Sequence, residues 1–528
     1  MRDFHFPGRS AVHAMEAMVA TSHPLATEAA MQVLREGGSA MDAAIAGSAV
    51  MAVVEPQMTG IGGDCFALVA PNGGGGVIAF NGSGRAPAAA SVDRLREQGF
   101  TDIPVDSIHA VTLPGAIDGW FRLHSRFGRL DMARLLQPAI GYARNGYPVH
   151  ARVARDWRKA RAHLAKRDAA RALFLPDGDS PAEGMIHRQE HLAETLEIIA
   201  AKGPRGFYEG PVAEAMVRTL QAQGGIHTAT DFAGVAGDFV RPISTDYRGR
   251  NVHQVPPNNQ GLTALMMLNL MEGFDLSALT PGSAEALHLE IETARLAYAM
   301  RDRHITELGD MKITVEQILS KPWADELRAR IMPDRAMTDI GPLGLRTSDT
   351  VYMTVVDRDM NAVSFINSIF DSFGSGILCP ETGVLFQNRG HSFSLDPDHP
   401  NVLAPGKRPM HTIMPGMVTE QGKPVLSFGV MGGDYQPLGQ ARVISNLFDH
   451  GCDLQGVLDA PRVFPLGDVV EVERSVPAEV LRGLAAKGHS LRLAEDPLGG
   501  AQAIRIDHAR GTLIGASDPR KDGCVAGY

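Results

Sequence analysis

Thr350 and its neighbours are the part of this sequence best suited to covalent chemistry. A polar stretch containing Ser and Thr leads into the alternating run Val351–Val356, which predicts a β-strand. A turn at 357–361 and a second strand from Ala362 complete a hairpin, so Thr350 lies where a loop meets the first strand. Cleavage of the Asp349–Thr350 bond would make this threonine an N-terminal nucleophile whose own α-amine serves as its base. The alternative is an ordinary strand threonine, the commoner role for a single residue of this type.

Motifs spread over nearly the whole chain favour the nucleophile. In the C-terminal third they are Thr350–Asp357, Phe373–Ile377, Thr382–Asn388, Pro405–Pro409, Met431–Gly433, Asp459–Arg462, Gly515–Arg520 and Ala526–Tyr528. The N-terminal part adds Leu34–Ala44 and Glu55–Asp64. In this order the motifs resemble the γ-glutamyltranspeptidases, which are self-cleaving N-terminal-nucleophile hydrolases.

The resemblance implies an α/β (α+β) fold, a four-layer αββα sandwich of the N-terminal-nucleophile hydrolase type formed jointly by two fragments of one self-cleaved chain. The cleavage site would be Asp349–Thr350, with 1–349 as the large subunit and 350–528 as the small catalytic subunit beginning with the nucleophile. The fragments would associate as a heterodimer, and a dimer of heterodimers is a further assembly that the resemblance allows. No metal or other cofactor is expected, because the nucleophile, its base and the oxyanion donors are all protein groups.

The resemblance also assigns the groups around the nucleophile. At Gly432-Gly433 it nominates the two backbone N–H groups as oxyanion donors, since glycine lets the backbone approach a substrate closely. A plain tight turn is the alternative for this pair. Ser368 falls where the family has a hydroxyl residue that hydrogen-bonds the nucleophile, and one more strand serine is its alternative.

The predicted substrate pocket departs from the family pattern. The arginine that binds the substrate α-carboxylate is displaced by two positions, to Arg85. The loop that closes over the pocket is shortened to 401–404. The family's asparagine, glutamine, aspartate and paired serines are replaced, in that order, by Phe370, Arg389, Ser392 and His411-Thr412.

These departures predict a different acyl specificity. At position 392 the carboxylate that pairs a substrate ammonium is absent, and Arg389 adds a cation that binds carboxylates and repels ammonium groups. We therefore expect a threonine amidase for γ-glutamyl-type or related carboxylate-bearing acyl amides, poorer with an α-ammonium, with hydrolysis favoured over transfer by the open site. The alternatives are an amidohydrolase or acylase of the oxamate or glutaryl-cephalosporin type without γ-glutamyl activity, and a non-catalytic small-molecule-binding relative. The retained Thr350, Ser368 and Gly432-Gly433 favour an enzyme.

Composition and charge favour a soluble enzyme acting on small molecules. The 528 residues can bury a large core; length alone suggests roughly three domains, and one closely packed body cut in two fits equally well. The net charge of −10 and the lack of a Lys/Arg block predict no nucleic-acid partner. Four scattered cysteines without a CxxC pair favour reduced, mostly buried thiols. No signal peptide or membrane-length apolar run is visible, so we expect a cytoplasmic protein without membrane contact.

The elements that must position these groups alternate along the chain. Residues 113–223 have mostly helical composition, and strands dominate after Thr350. Strands are also predicted at Phe66–Ala70 and Val77–Phe80. Individual helices are predicted at Thr27–Glu36, Met41–Val54, Thr263–Leu270, Ala284–Arg301, Pro437–Phe448 and Pro477–Lys487.

Overall fold

The computed structural model of the chain describes residues 5, 8–71, 76–338, 340, 343, 345 and 350–528. Its strands are β1 Val12–Ala14, β2 Met18–Thr21, β3 Asp64–Ala70, β4 Ile78–Gly82, β5 Tyr147–Pro148, β6 Ile186–His187, β7 Asp238–Val240, β8 Ile243–Tyr247, β9 Arg250–Gln254, β10 Val351–Val356, β11 Ala362–Ser368, β12 Leu378–Cys379, β13 Val384–Leu385, β14 Gly416–Glu420, β15 Lys423–Met431, β16 Val463–Leu466, β17 Val469–Val472, β18 Leu491–Leu493, β19 Gly500–Asp507, β20 Thr512–Ser517 and β21 Cys524–Gly527. Its α-helices are α1 Pro24–Arg35, α2 Ala40–Val54, α3 Val92–Glu97, α4 Ala116–Phe127, α5 Met132–Asn145, α6 Ala151–Leu164, α7 Asp168–Phe174, α8 Glu190–Lys202, α9 Arg205–Tyr208, α10 Gly210–Ala222, α11 Ala229–Ala233, α12 Gly261–Met271, α13 Ala284–His304, α14 Val315–Ile318, α15 Lys321–Arg328, α16 Gln436–Phe448, α17 Leu454–Asp459 and α18 Ala478–Ala486.

Two seven-stranded antiparallel sheets form the centre of the fold. Sheet I has the strand order β21-β2-β10-β11-β3-β4-β7, and sheet II has the order β1-β20-β19-β15-β14-β9-β8. Strand β10, which directly follows Thr350, is hydrogen-bonded between β2 and β11. Strand β15, which leads to Gly432, is hydrogen-bonded between β14 and β19. The predicted nucleophile and the predicted oxyanion loop thus extend from central strands of different sheets.

The two sheets pack face to face through small and hydroxyl-bearing residues. Thr354 Oγ1 of β10 donates to Ser427 Oγ of β15 at 2.6 Å. The ring of Tyr352 occupies the space that a side chain on Gly429 would need. Glycine therefore allows β10 and β15 to approach closely here, and buried apolar residues of both sheets fill the rest of the layer.

Helices cover the outer face of each sheet. Helix α2 is buried along all 15 of its residues, and a Cβ on its Gly47 would lie 2.6 Å from Met353 Cε of β10. On the other side, a Cβ on Gly439 of α16 would lie 2.6 Å from Val430 Cγ1 of β15. Glycines at both contacts let the helices sit close to the central strands. The order helix, sheet, sheet, helix confirms the predicted αββα sandwich.

Residues before and after Thr350 contribute strands to both sheets. Strands β10, β11 and β21 of sheet I, and β14, β15, β19 and β20 of sheet II, come from residues 350–528. The remaining strands of both sheets precede Thr350 in the chain. Two pieces cut before this residue would share continuous ladders and one core, so we expect them to remain associated.

The predicted elements are confirmed in type, with small shifts at their ends. The hairpin matches its prediction, since β10 spans Val351–Val356 and β11 begins at Ala362. Helix α1 begins at Pro24 instead of Thr27, because the His23 side chain accepts the N–H of Leu25 and proline is favourable in a first turn. Such caps are set by side-chain contacts that periodicity does not report.

Among the described residues, no helix combines the length and apolar character that crossing a bilayer requires. The cysteines are free thiols: Cys65 and Cys379 are buried, while Cys452 and Cys524 are partly exposed. Burial raises the pKa of the Cys65 thiol well above its usual value. This thiol therefore behaves as a small apolar side chain.

A buried carboxyl at the end of α2 predicts an unusual pH dependence of stability. Glu55 accepts a hydrogen bond from Ser22 at 2.6 Å, and burial raises its pKa from 4.5 to about 8. Between these values the folded state keeps the proton and the unfolded state releases it. The contribution of Glu55 to the free energy of unfolding is therefore fully present below the pKa of the unfolded state. It is lost as the pH rises through the pKa of the folded state.

We expect Glu55→Gln, which can keep the Ser22 hydrogen bond, to reduce the loss of stability between pH 5 and pH 8. The reduction should be at most about 1.4 kcal/mol per pH unit. Urea unfolding of both proteins at several pH values in this range measures the difference. Parallel stability curves for the wild type and the variant would contradict the assignment.

Candidate active site

Thr350 is held at the start of β10 with its hydroxyl bound to the neighbouring strand. The residue is 1% exposed, and its Oγ1 donates to the Asn367 carbonyl of β11 at 3.1 Å. The Asn367 Nδ2 donates to Thr59 Oγ1 at 2.7 Å and to the Gly60 carbonyl at 3.2 Å. Groups from both sides of the predicted cleavage point thus fix the threonine hydroxyl.

The register between the sheets brings Thr350 to the oxyanion loop. Strands β10 and β15 make two contacts across the layer, Thr354 with Ser427 and Tyr352 with Gly429. The strands therefore run in opposite directions, and moving two residues toward the N-terminus of β10 matches moving two residues toward the C-terminus of β15. Alternate residues of a strand point to the same face. The next pair in this register is therefore Thr350 with Met431, the residue directly before Gly432.

Gly432 and Gly433 adopt a conformation suited to presenting N–H groups. Their φ angles are +119° and +57°, and a Cβ on Gly432 would lie 2.8 Å from the Cα of Gly499. Glycine is therefore required here by both backbone angle and space. Among the described residues, neither N–H donates to a backbone carbonyl in a turn, a loop or a helix cap. Both remain available as donors to a developing oxyanion.

The loop that follows these glycines is braced by helix α13. Arg301 Nη1 lies 2.5 Å from Asp434 Oδ1, and the Tyr298 hydroxyl donates to the Asp434 carbonyl. Arg301 is 2% exposed and Tyr298 is fully buried. These rigid contacts restrict a segment that two glycines would otherwise leave mobile.

A cleft opens directly onto Gly432. Its volume is about 280 Å³, and Tyr435 and Asp371 contribute to its wall. Charged side chains form its rim, where Asp496 is paired with Lys159 of α6. The size lies just below the range of about 300–1,000 Å³ that is common for small-molecule sites.

Arg389 is a fully buried cation with unused donors. Its Nη1 donates to Thr412 Oγ1 at 2.7 Å, whereas its Nε and Nη2 have no hydrogen-bond partner among the described residues. Burial lowers the pKa of Arg389 to about 9, and the carboxylates of Asp64, Asp371 and Asp434 oppose that shift. The guanidinium remains charged at neutral pH. Adjacent Nε and Nη2 groups form the edge that binds a carboxylate through two hydrogen bonds.

Phe370 covers the face of this guanidinium. The Arg389 Cζ lies 4.0 Å from the Phe370 ring centroid, within cation–π distance. Phe370 has a φ of +81°, which bulky residues rarely adopt, and its N–H donates to Ser368 Oγ at 2.9 Å. The Ser368 hydroxyl thus supports Phe370 here, while the Thr350 hydroxyl donates to β11. The prediction that Ser368 serves the nucleophile stays a prediction.

His411 belongs to a buried network centred on Asp64. Its Nε2 lies 3.1 Å from Asp64 Oδ2, and burial, reinforced by Arg389, lowers the pKa of His411 to about 3. The imidazole is therefore neutral and donates from Nε2. Asp64 Oδ1 accepts three further hydrogen bonds, from two backbone N–H groups and from the Gln387 amide. Asp64 is thus a satisfied buried anion near Arg389.

Two predicted residues have other surroundings, and a third is not described. Arg85 pairs with Glu307 at 2.8 Å and is partly exposed. Ser392 ends the short 3₁₀ turn Arg389–Ser392, and its carbonyl accepts the Asn401 amide at 2.6 Å. Asp349 lies outside the described residues. The substrate contacts assigned to Arg85 and Ser392 stay predictions.

Two buried polar residues of the site were missed by the sequence analysis. Asp64 lay within a recognised motif without a role, although a carboxylate after two glycines and inside an apolar strand was an available signal. Gln260 follows two asparagines directly before α12, where no pattern suggests a function. In the fold its side-chain amide donates to the carbonyls of Thr412 and Gly433.

The antiparallel αββα sandwich, with a buried threonine at the head of a central strand, defines an N-terminal-nucleophile hydrolase fold. The chain belongs to the γ-glutamyltranspeptidase family. The family profile described as "Gamma-glutamyltranspeptidase" matches residues 26–528.

Several known proteins resemble the chain along nearly its full length. The glutathione hydrolase-like YwrD proenzyme of Bacillus subtilis is 39% identical over 97% of this chain and 98% of its own. The oxamate amidohydrolase proenzyme of Klebsiella pneumoniae is 36% identical over 97% and 98%. The crystal structure of a cephalosporin acylase from Bacillus halodurans superposes with a TM-score of 0.94 at 39% identity, covering 100% of this chain and 99% of that one. The names of these relatives state different substrates.

We expect Gly432→Ala to lower kcat by on the order of 10²–10³-fold, since the new Cβ would displace an oxyanion donor. Gly422→Ala is the matched control, because Gly422 also has a positive φ but an added Cβ there would meet no atom within 4 Å. Amide hydrolysis assays on both purified variants give the comparison. Similar kcat values for the two variants would contradict the role of the Gly432 loop.

Proposed function

We propose that the chain is a self-processing threonine amidohydrolase that cleaves amides whose acyl part carries a carboxylate. Family membership and relatives named as proenzymes support this mechanism. The observation that carries the acyl specificity is the fully buried Arg389, whose Nε and Nη2 lack partners among the described residues. A substrate carboxylate would satisfy both donors and the buried charge together.

In the precursor, Thr350 Oγ attacks the carbonyl carbon of Asp349. The peptide C–N bond breaks as the ester C–O bond forms, and the nitrogen takes up a proton to become the free α-amine of Thr350. Water then hydrolyses the ester, which leaves a carboxylate on Asp349 and restores the threonine hydroxyl.

In the mature enzyme, the Thr350 α-amine accepts the hydroxyl proton while Oγ adds to the substrate amide. The N–H groups of Gly432 and Gly433 stabilise the resulting oxyanion. The leaving amine departs with the proton as the acyl-enzyme ester forms. Water, activated by the same α-amine, attacks this ester and releases the carboxylic acid.

The surroundings of Arg389 disfavour a γ-glutamyl α-ammonium. A cation next to an ammonium group is repulsive, and position 392 carries a serine where the family has the pairing aspartate. Phe370 shields one face of the guanidinium from water, which strengthens a carboxylate contact in the plane of the group. Relatives named as an oxamate amidohydrolase and a cephalosporin acylase are in keeping with acyl groups that lack this amine.

The shortened 401–404 loop supports hydrolysis over transfer, because an open site admits water to the acyl-enzyme. The working form would be a heterodimer of the two fragments, and two heterodimers would form the larger assembly. A cytoplasmic location is part of the same proposal. Its basis is the four free cysteine thiols, which are typical of a reducing compartment.

We expect the purified protein to run as two fragments on a denaturing gel, the smaller beginning Thr350-Val351-Tyr352. Thr350→Ala should stay uncleaved and inactive, because both reactions need the same hydroxyl, and Thr350→Ser should retain partial processing. N-terminal sequencing of the small fragment identifies the bond. A wild-type chain that stays intact after prolonged incubation would refute self-processing.

We expect kcat/KM for a glutaryl anilide to exceed that for the γ-glutamyl anilide by roughly 10- to 150-fold. This range corresponds to about 1.5–3 kcal/mol for a charge-assisted contact. Arg389→Met should remove most of the preference, and Ser392→Asp should shift it toward the γ-glutamyl compound. Equal wild-type values, or a larger effect of Arg85→Met than of Arg389→Met, would overturn the specificity assignment.

A further inference from the structure

Gln260 touches both halves of the proposed site with one side chain. The residue is fully buried and directly precedes α12. Its Nε2 donates to the Thr412 carbonyl at 2.6 Å and to the Gly433 carbonyl at 3.1 Å. A primary amide carries two N–H groups, so both hydrogen bonds form at once.

The orientation of this amide is set by helix α13. Arg301 Nη1 donates to Gln260 Oε1 at 2.9 Å and also contacts Asp434. An arginine cannot accept a hydrogen bond, so the amide oxygen must face Arg301 and the amide nitrogen must face the two carbonyls. The contacts of Gln260 are therefore directional and cannot be exchanged by flipping the amide.

One of the two carbonyls belongs to the segment that anchors Arg389. Thr412 Oγ1 accepts a hydrogen bond from Arg389 Nη1 at 2.7 Å, while the Thr412 carbonyl binds Gln260. The Gln260 backbone N–H also donates to the His411 carbonyl at 2.9 Å. Gln260 thus holds this segment through both its main chain and its side chain.

The other carbonyl belongs to the oxyanion loop. Gly432 and Gly433 both have positive φ values and carry no side chains that could pack. Their conformation must therefore be held by contacts to their backbone atoms, and the Gln260 amide supplies one. Oxyanion donors stabilise a transition state only when their positions are fixed beforehand.

We propose that Gln260 is a positioning residue that fixes Arg389 and the oxyanion donors relative to one another. A substrate whose carboxylate is held by Arg389 then has its scissile carbonyl aligned with the N–H groups of Gly432 and Gly433. Carboxylate recognition and rate acceleration are thereby coupled through Thr412, Gln260 and Gly433. This inference rests on the proposed function, because it assumes that Arg389 binds the acyl carboxylate.

A double-mutant cycle tests the coupling. The substrates are the glutaryl anilide and its terminal carboxamide, which has the same length without the charge. The variants are Gln260→Leu, Gln260→Glu and Arg389→Met, together with both Gln260 changes combined with Arg389→Met. Gln260→Glu keeps an acceptor for Arg301 but loses both N–H donors. Rates are normalised to the amount of cleaved protein, so a processing defect does not enter.

Gln440→Leu serves as the matched control. Gln440 is 1% exposed, and its amide donates to the Met414 carbonyl at 2.7 Å, two residues beyond Thr412. Its Oε1 accepts a hydrogen bond from Gln254 at 2.7 Å. The control thus removes a buried amide that binds the same segment without joining it to the oxyanion loop.

We expect both Gln260 variants to lower kcat for the two substrates by about tenfold or more, because misplaced groups lose alignment. They should also reduce the preference for the glutaryl anilide over its carboxamide. Adding Arg389→Met to a Gln260 variant should therefore lower this preference at least about threefold less than Arg389→Met does in the wild type. Gln440→Leu should lower the melting temperature without either kinetic change. Gln260 effects equal to those of Gln440→Leu, or additive with Arg389→Met, would overturn the inference. A wild-type enzyme without a glutaryl preference would instead refute the proposed specificity.

Discussion

The close contact between strands β10 and β15 is the constraint on which the site depends. Gly429 leaves room for the Tyr352 ring, and Thr354 is hydrogen-bonded to Ser427 on the facing strand. These contacts set the register between two sheets whose ends carry the proposed nucleophile and the proposed oxyanion loop. Because each strand is central in its own sheet, neither can slide without breaking ladders on both sides. The distance between Thr350 and the loop is thus a property of sandwich packing.

A balance of buried charge shapes the substrate side of the site. An uncompensated charge in the interior costs several kcal/mol, so a fully buried Arg389 requires anions nearby. Asp64, Asp371 and Asp434 supply that field, and among the described residues none accepts a hydrogen bond from Nε or Nη2 of Arg389. The positive charge of Arg389 in turn helps burial to lower the pKa of His411, which keeps this imidazole neutral. This arrangement of charges is the basis of the proposed preference for a carboxylate over a second cation.

Both sheets contain strands from before and after Thr350, so a cut at this residue would leave the fold intact. The proposed self-processing would free the α-amine of Thr350 while the neighbouring groups stay in position. The hydroxyl of Thr350 donates to Asn367, which follows the predicted cleavage point, whereas Thr59 and Gly60, which hold Asn367, precede that point. Fragments that share ladders and core meet this requirement, since cleavage removes one covalent bond and few contacts.

The sequence alone determined the hairpin at Thr350, because strand alternation and turn residues are local signals. The resemblance of its ordered motifs to a known family indicated the fold class and the family. It also marked Arg389 as a new cation by comparison of residue types. Only the tertiary structure decided that Arg389 is fully buried, with Nε and Nη2 unpaired in the described part of the chain. It also decided that Arg85 pairs with Glu307 and that Gln260 joins Thr412 to the proposed oxyanion loop. These outcomes depend on contacts between residues more than a hundred positions apart, such as Gln260 with Thr412. Neither periodicity nor spacing carries information about such contacts, since packing of the complete sandwich creates them.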